Sequence, residues 1–90
     1  MRVASQIRAK LTAALQPSRL EIVDESHRHK GHAGARPNGE THFRVAIVSD
    51  AFRGKTRLER QRLVYSVLSD EMASDIHALS LVTQAPGETR

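Results

Sequence analysis

Ninety residues, 39% hydrophobic and only 3% aromatic, bound the chain to one small domain with a thin core and few large anchoring side chains. The absence of cysteine excludes disulfides and any thiolate metal site made by this chain alone. A formal charge of +4 permits anionic partners but sits within the ordinary solubility range for a domain of this size, so it selects no function by itself. No apolar run approaches the ~20 residues a membrane span needs, and Met1-Arg2-Val3 is not expected to open a signal peptide. The expectation is a soluble, cytoplasmic domain spanning 1–90, without a membrane partner.

In chain order, Val3, Ile7, Leu11 and Leu15 recur every four residues, with Arg2, Arg8, Lys10 and Thr12 set away from that stripe. This predicts an amphipathic helix that Pro17 ends. Leu20, Ile22 and Val23 predict a short strand that turns polar at Asp24-Glu25-Ser26. The stretch HRHKGHAGARPNGE has no apolar period, and its length exceeds a tight hairpin; loops of that kind are often functional or mobile. THFRVAIVSD reads as the best strand, with Phe43, Val45 and Ile47 on one face and His42, Arg44 and Ala46 on the other. Asp50 to Gly54 reads as a turn.

Thr56 and Glu59 then form a T-x-x-E capping box, each side chain able to satisfy a backbone N–H that the first helical turn leaves open. Val64, Tyr65, Leu68 and Met72 follow at helical spacing, with Arg62, Ser66, Ser69 and Asp70 opposite. After Asp75 the period becomes two. His77, Leu79 and Leu81 are expected on one strand face, which puts His77 in line with core leucines at the strand's first position. Thr83 to Arg90, with Pro86-Gly87, reads as a frayed tail.

The order helix, strand, strand, helix, strand gives an α+β class, αββαβ. Its first two strands should pair antiparallel, and the third should complete a three-stranded sheet covered by both helices on one face.

Several stretches together resemble the BolA family: Asp24-Glu25-Ser26-His27-Arg28-His29, Glu40-Thr41-His42-Phe43-Arg44-Val45, Phe52-x-Gly54, Arg60-x-Arg62-x-Val64-Tyr65 with Leu68 and Glu71, and Ile76-His77-Ala78-Leu79-Ser80-Leu81. The similarity runs from Val3 to Pro86. It implies a class II KH-like module, in agreement with the element order. Two departures stand out. Gln61 occupies the place between two arginines where family members commonly carry histidine, and Gly54-Lys55-Thr56-Arg57 lacks the second glycine of a nucleic-acid-clamping GXXG loop.

The resemblance implies that the histidine opening the last strand, His77, ligates iron in a [2Fe–2S] cluster shared with a monothiol glutaredoxin. Such clusters take four ligands, usually thiolates, and histidine can replace cysteine on one iron. A chain without cysteine contributes imidazole nitrogen alone. The implied partner cysteine and its bound glutathione supply the thiolates, and no cofactor is expected on the isolated chain, a monomer or weak homodimer. The competing reading of His77 is a boundary histidine with local hydrogen bonds. The loop can present a second imidazole. Counting forward from Asp24-Glu25-Ser26 favours His29, and Gly31-His32-Ala33-Gly34 favours His32; a solvated loop whose histidines, His27 included, bind metal only adventitiously is the alternative. H-x-H-x-x-H here lacks the spacing of a closed zinc site. Imidazole must be neutral to bind metal, so a mixed-ligand centre is expected to weaken as pH falls toward and below ~6.5.

Arg53, Lys55, Arg57, Arg60 and Arg62 cluster between the turn and the first half of the second helix. They form the candidate nucleic-acid contact, and the resemblance implies transcription regulation for some members. Against a DNA partner, Glu59 interrupts the cluster and no aromatic side chain is placed for base stacking. His42 is expected to be an exposed sheet residue. No Cys nucleophile or strand-to-helix Ser elbow is present, and Asp24 and Glu25 read as a solvated turn, so the chain is not expected to be an enzyme.

Overall fold

The apolar stripe of the first helix, α1 (Arg2–Leu15), is fully committed to the core: Val3, Ile7, Leu11 and Leu15 are all buried. The computed structural model describes residues 2–26 and 40–88. Gln16 turns the chain with a left-handed φ of 45°, and Pro17 follows it, ending α1 as expected. Two strands come next, β1 (Arg19–Asp24) and β2 (His42–Val48), paired antiparallel with Ile22 opposite Val45.

A 3₁₀ turn at Asp50–Phe52 follows, opened by the Ser49 side chain, which accepts from the Ala51 N–H. Gly54, at φ 74°, takes the left-handed conformation that a Cβ would oppose. The second helix, α2 (Arg57–Val67), starts with the expected capping box: Glu59 N–H donates to Thr56 Oγ1 at 3.1 Å, and Thr56 N–H donates to Glu59 Oε1 at 2.8 Å. The expected single helix is interrupted at Leu68 (φ −100°, ψ 22°), and a short helix α3 (Ser69–Ser74) continues the path. The last strand, β3 (Ala78–Gln84), pairs parallel with β2, with Val45 opposite Leu81, so the sheet order is β1-β2-β3.

These pairings put Phe43, Val45 and Ile47 on the buried face, in one core with the α1 stripe and with Phe52, Val64, Leu68 and Ile76. Each large aliphatic side chain so buried contributes roughly 1.5–3 kcal/mol over an exposed one. Leu20, Ile22, Leu79 and Leu81 pack against that core half-buried. The opposite face carries Arg19, Glu21, Val23 and Arg44, all exposed, and the half-buried Ala46. The fold is the expected α+β domain, with a mixed three-stranded sheet packed by helices.

Two expectations need correction. β3 begins at Ala78, one residue later than expected, and His77 is an exposed bend. The buried residue at this point is Ile76, because the N–H groups of both His77 and Ala78 donate to the Thr41 carbonyl, at 2.7 and 3.3 Å, before the strand alternation starts. The tail is also not frayed through Glu88. Thr83 and Gln84 belong to β3, Ala85 is buried, and Glu88 is bonded to α2, as described below. Residues 89–90 lie outside the described chain.

Candidate functional site

His77 stands on a main-chain post. The Glu71 carbonyl accepts the N–H groups of Asp75 (3.0 Å) and Ile76 (2.8 Å), Ile76 is buried directly before the histidine, and Thr41 holds the His77 amide from the other side. Backbone and core thus fix the Cα of His77 while the imidazole stays exposed. α3 and its C-cap Asp75, which lead into this post, are tied to α1 by ion pairs. Lys10 Nζ meets the buried Glu71 carboxylate at 2.8 Å, and Arg2 meets Asp75 at 3.0 Å. The Glu71 hydrogen bond is the main cause of the raised Lys10 ammonium pKa.

Thr41 links this post to the place where the loop leaves and re-enters the sheet. Ser26 Oγ accepts the N–H groups of Thr41 (2.8 Å) and His42 (3.1 Å). Asp24 accepts from the Ser26 N–H with one carboxylate oxygen and from the Glu40 N–H with the other. Glu40, at φ 64°, turns its own carboxylate onto the first turn of α1, where Oε2 accepts from Val3 N–H (3.0 Å) and Ala4 N–H (3.1 Å). Asp24, read from sequence as a solvated turn residue, is therefore a structural clasp. His27, His29 and His32 lie outside the described residues. The two ends of the segment that carries them, Ser26 and Glu40, both flank the residue whose carbonyl holds His77.

His42 is half-buried, and its ring centroid lies 6.0 Å from that of His77, with the planes tilted by 49°. Its Nδ1 is 2.8 Å from Thr41 Oγ1. Sequence alternation put His42 on the outer sheet face but carried no sign of its nearness to His77. That depends on the parallel register, which sets His42 opposite Ala78.

Residues 11–88 match the family model described as BolA-like protein. The chain belongs to the BolA family. It is 49% identical over 87 residues to SufE-like protein 1, chloroplastic/mitochondrial, of Arabidopsis thaliana, a match covering 92% of this chain and 24% of that protein. It is 47% identical over 83 residues to the DNA-binding transcriptional regulator BolA of Escherichia coli (strain K12), covering 92% of this chain and 75% of that one. Among solved structures, the BolA domain of SufE1 from Arabidopsis thaliana superposes with a TM-score of 0.85 at 48% identity, covering 94% of this chain and 93% of that domain. The chain thus spans about a quarter of the length of the plant protein.

Within this BolA fold the five cations named from sequence do not act alike. Arg53 pairs with Asp50, while Lys55, Arg57 and Arg62 are exposed. Arg60 is engaged inside the chain. Its two terminal nitrogens meet both Glu88 oxygens at 2.7 and 2.8 Å, its Nε donates to the Lys55 carbonyl at 3.0 Å, and its guanidinium lies 6.0 Å over the Phe52 ring. The Arg60 hydrogen bonds, followed by the Ala85 N–H, hold the Glu88 carboxyl down at about 2. A groove of about 500 Å³ between the start of α2 and the end of β3 is lined by Lys55, Arg57, Arg60, Thr83 and Glu88, among others, and neither His77 nor His42 reaches it. The basic region and the histidine pair are separate places.

Among the described residues no group of three or more His, Cys, Asp or Glu gathers that would hold a metal ion. The donor set of the BolA chain is imidazole without thiolate. That chemistry fits one share of a cluster whose remaining ligands come from a second protein.

Proposed function

We propose that this chain is a non-enzymatic partner of a monothiol glutaredoxin and co-ligates a [2Fe–2S] cluster through His77 and one loop histidine, His29 or His32. The cluster, when bound, supplies the iron–sulfur unit that is delivered onward or sensed. Membership of the BolA family supports the reading. The observation that carries it is the exposed imidazole of His77 on a main-chain post bonded to Thr41, the residue the loop's two ends flank.

This chain's own contribution is positional. Ile76 and the Thr41 carbonyl fix where the first imidazole stands. Asp24, Ser26 and Glu40 fix where the loop carrying the second begins and ends. The partner's cysteine and its bound glutathione complete the ligand set. Such an assembly needs a compartment in which the partner thiol stays reduced, and a cytoplasmic setting meets that need. The α–β–β–α–β order further supports a relation to class II KH modules, although the Gly54-Lys55-Thr56-Arg57 turn lacks their second glycine.

The test is co-expression with a monothiol glutaredoxin, or anaerobic reconstitution of the pair with iron and sulfide. A coloured one-to-one complex whose visible circular dichroism differs from that of the glutaredoxin alone is expected. His77→Ala should remove that difference, and His29→Ala and His32→Ala, made separately, should divide into one that does and one that does not. An unchanged spectrum for His77→Ala would refute the ligand assignment.

A further inference from the structure

β3 lies at one side of the sheet with only β2 beside it, and its hydrogen bonds reveal which main-chain groups stay open. Alternate residues of a parallel strand turn both N–H and C=O toward the neighbour. The Gln84 carbonyl accepts from the Ser49 N–H and the Ala78 N–H donates to the Thr41 carbonyl, so the even-numbered residues of β3 face β2. Leu79, Leu81 and Thr83 turn theirs outward. Side chains of α2 take two of those carbonyls: the Tyr65 hydroxyl donates to Leu79 at 3.2 Å and Arg60 to Thr83 at 3.4 Å. Between these two guards, the N–H and C=O of Leu81 have no hydrogen-bond partner among the described residues. An open pair of this kind on an edge strand is a template for one more strand.

The charge alongside selects the occupant. The groove of about 500 Å³ runs along this edge, lined by Leu81 and Thr83 from β3 and by Lys55, Arg57 and Arg60 from the start of α2. Its lining carboxylate, Glu88, is already held by Arg60, and the nearby Glu59 is committed to the Thr56 cap. Lys55 and Arg57 are exposed, and among the described residues neither is in an ion pair. A second copy of β3 brings them no carboxylate, because the strand ALSLVTQ has none. From the open Leu81 groups and these two cations, we infer that the β3 edge takes an extended, acidic segment of a partner protein as a fourth strand. Its main chain bonds Leu81. Its carboxylates, on the side of the sheet that the helices cover, meet Lys55 and Arg57, and its alternate side chains lie along Val82. Neither His77 nor His42 lines the groove, so the inference does not rest on the shared-cluster reading.

The probe is a short peptide alternating glutamate and valine, acetylated and amidated at its ends, titrated into the full chain labelled with nitrogen-15. The Leu81 and Thr83 amides are expected to shift most, and the Leu81 amide to gain protection from hydrogen exchange. Lys55→Glu combined with Arg57→Glu should weaken binding about tenfold, and added salt should weaken wild-type binding. Both positions are exposed, so the core amides of that variant should stay where they are in wild type. The same peptide methylated on every main-chain nitrogen keeps its charge and loses its donors; it should bind about tenfold more weakly to the unaltered protein.

Shifts that avoid β3 overturn the inference. Equal binding of a peptide with lysine in place of glutamate removes the acidic preference, and undiminished binding of the methylated peptide removes the strand pairing; either result sinks it. If single-stranded oligothymidylate shifts these amides and the acidic peptide does not, the groove is a nucleic-acid surface and the inference fails. It fails equally if the Leu81 amide shifts on dilution of the chain alone and ignores the peptide, because a second copy then occupies the edge.

Discussion

The Thr41 carbonyl accepts the His77 amide at 2.7 Å, joining the start of β2 to the bend before β3. This bond involves backbone only, so it persists when the His77 side chain is removed. His77→Ala should therefore leave chemical-denaturation stability within about 0.5 kcal/mol of wild type, as for an exposed side chain. Its loss of the heterocomplex spectrum would then report on ligation rather than on unfolding. A variant that lost both together would point to a structural histidine.

Glu40 should behave in the opposite way. Its carboxylate serves two N–H groups of the first turn of α1, so Glu40→Ala should cost about 1–2 kcal/mol in a urea melt. The Val3 and Ala4 amides should lose protection from hydrogen exchange first. Equal exchange rates in variant and wild type would show that the cap is not used in solution.

Glu88 gives a prediction in pH. Its carboxyl is held at about 2, below the ordinary 4.5, chiefly by the Arg60 hydrogen bonds. A depressed carboxylate stabilises the folded state above its unfolded value, and that contribution disappears as pH falls through the folded value. The closure of the tail on α2 should therefore weaken between about 4.5 and about 2. A carbon-detected titration of Glu88 should show its midpoint near the lower figure. Arg60→Met should bring the midpoint back toward the ordinary range and raise exchange at Ala85, whose N–H also donates to Glu88 at 2.9 Å.

The capping box of α2 is a further test point. Thr56→Ala removes the acceptor for the Glu59 N–H and should cost about 1 kcal/mol. The Thr56 N–H, and then its hydroxyl, lower the pKa of the Glu59 carboxyl. Glu59→Gln should accordingly narrow the stability difference between neutral and acid solution, read from thermal melts at the two pH values.

Much of the framework was legible in the residues, for reasons that differ by element. Val3, Ile7, Leu11 and Leu15 declare a helix because each step of four returns to the same side. Phe43, Val45 and Ile47 declare a strand by strict alternation, and Thr56 with Glu59 declares a helix start. What alternation could not supply was the offset at His77, where two amides share the Thr41 carbonyl and delay the strand. The closed tail was hidden because Arg60 and Glu88 are 28 positions apart, and nothing local marks the glutamate as a partner. His42 was misjudged for the same reason: its neighbour His77 comes beside it only through the parallel crossover. The role proposed for His77 rests on the family resemblance and not on any pattern of spacing.

Among the described residues, Asp24, Ser26, Glu40 and Thr41 tie down the two feet of the 27–39 segment from outside it. The entropy of closing a loop grows only slowly with its length, so insertions or exchanged donors between those feet carry a small penalty for the rest of the domain. On the proposed reading the scaffold is a socket: one coordinating group would be permanent, and its companion could be replaced like an interchangeable bit. A chimera carrying a cysteine-bearing loop of different length between Ser26 and Glu40 is the natural object in which to exploit that modularity.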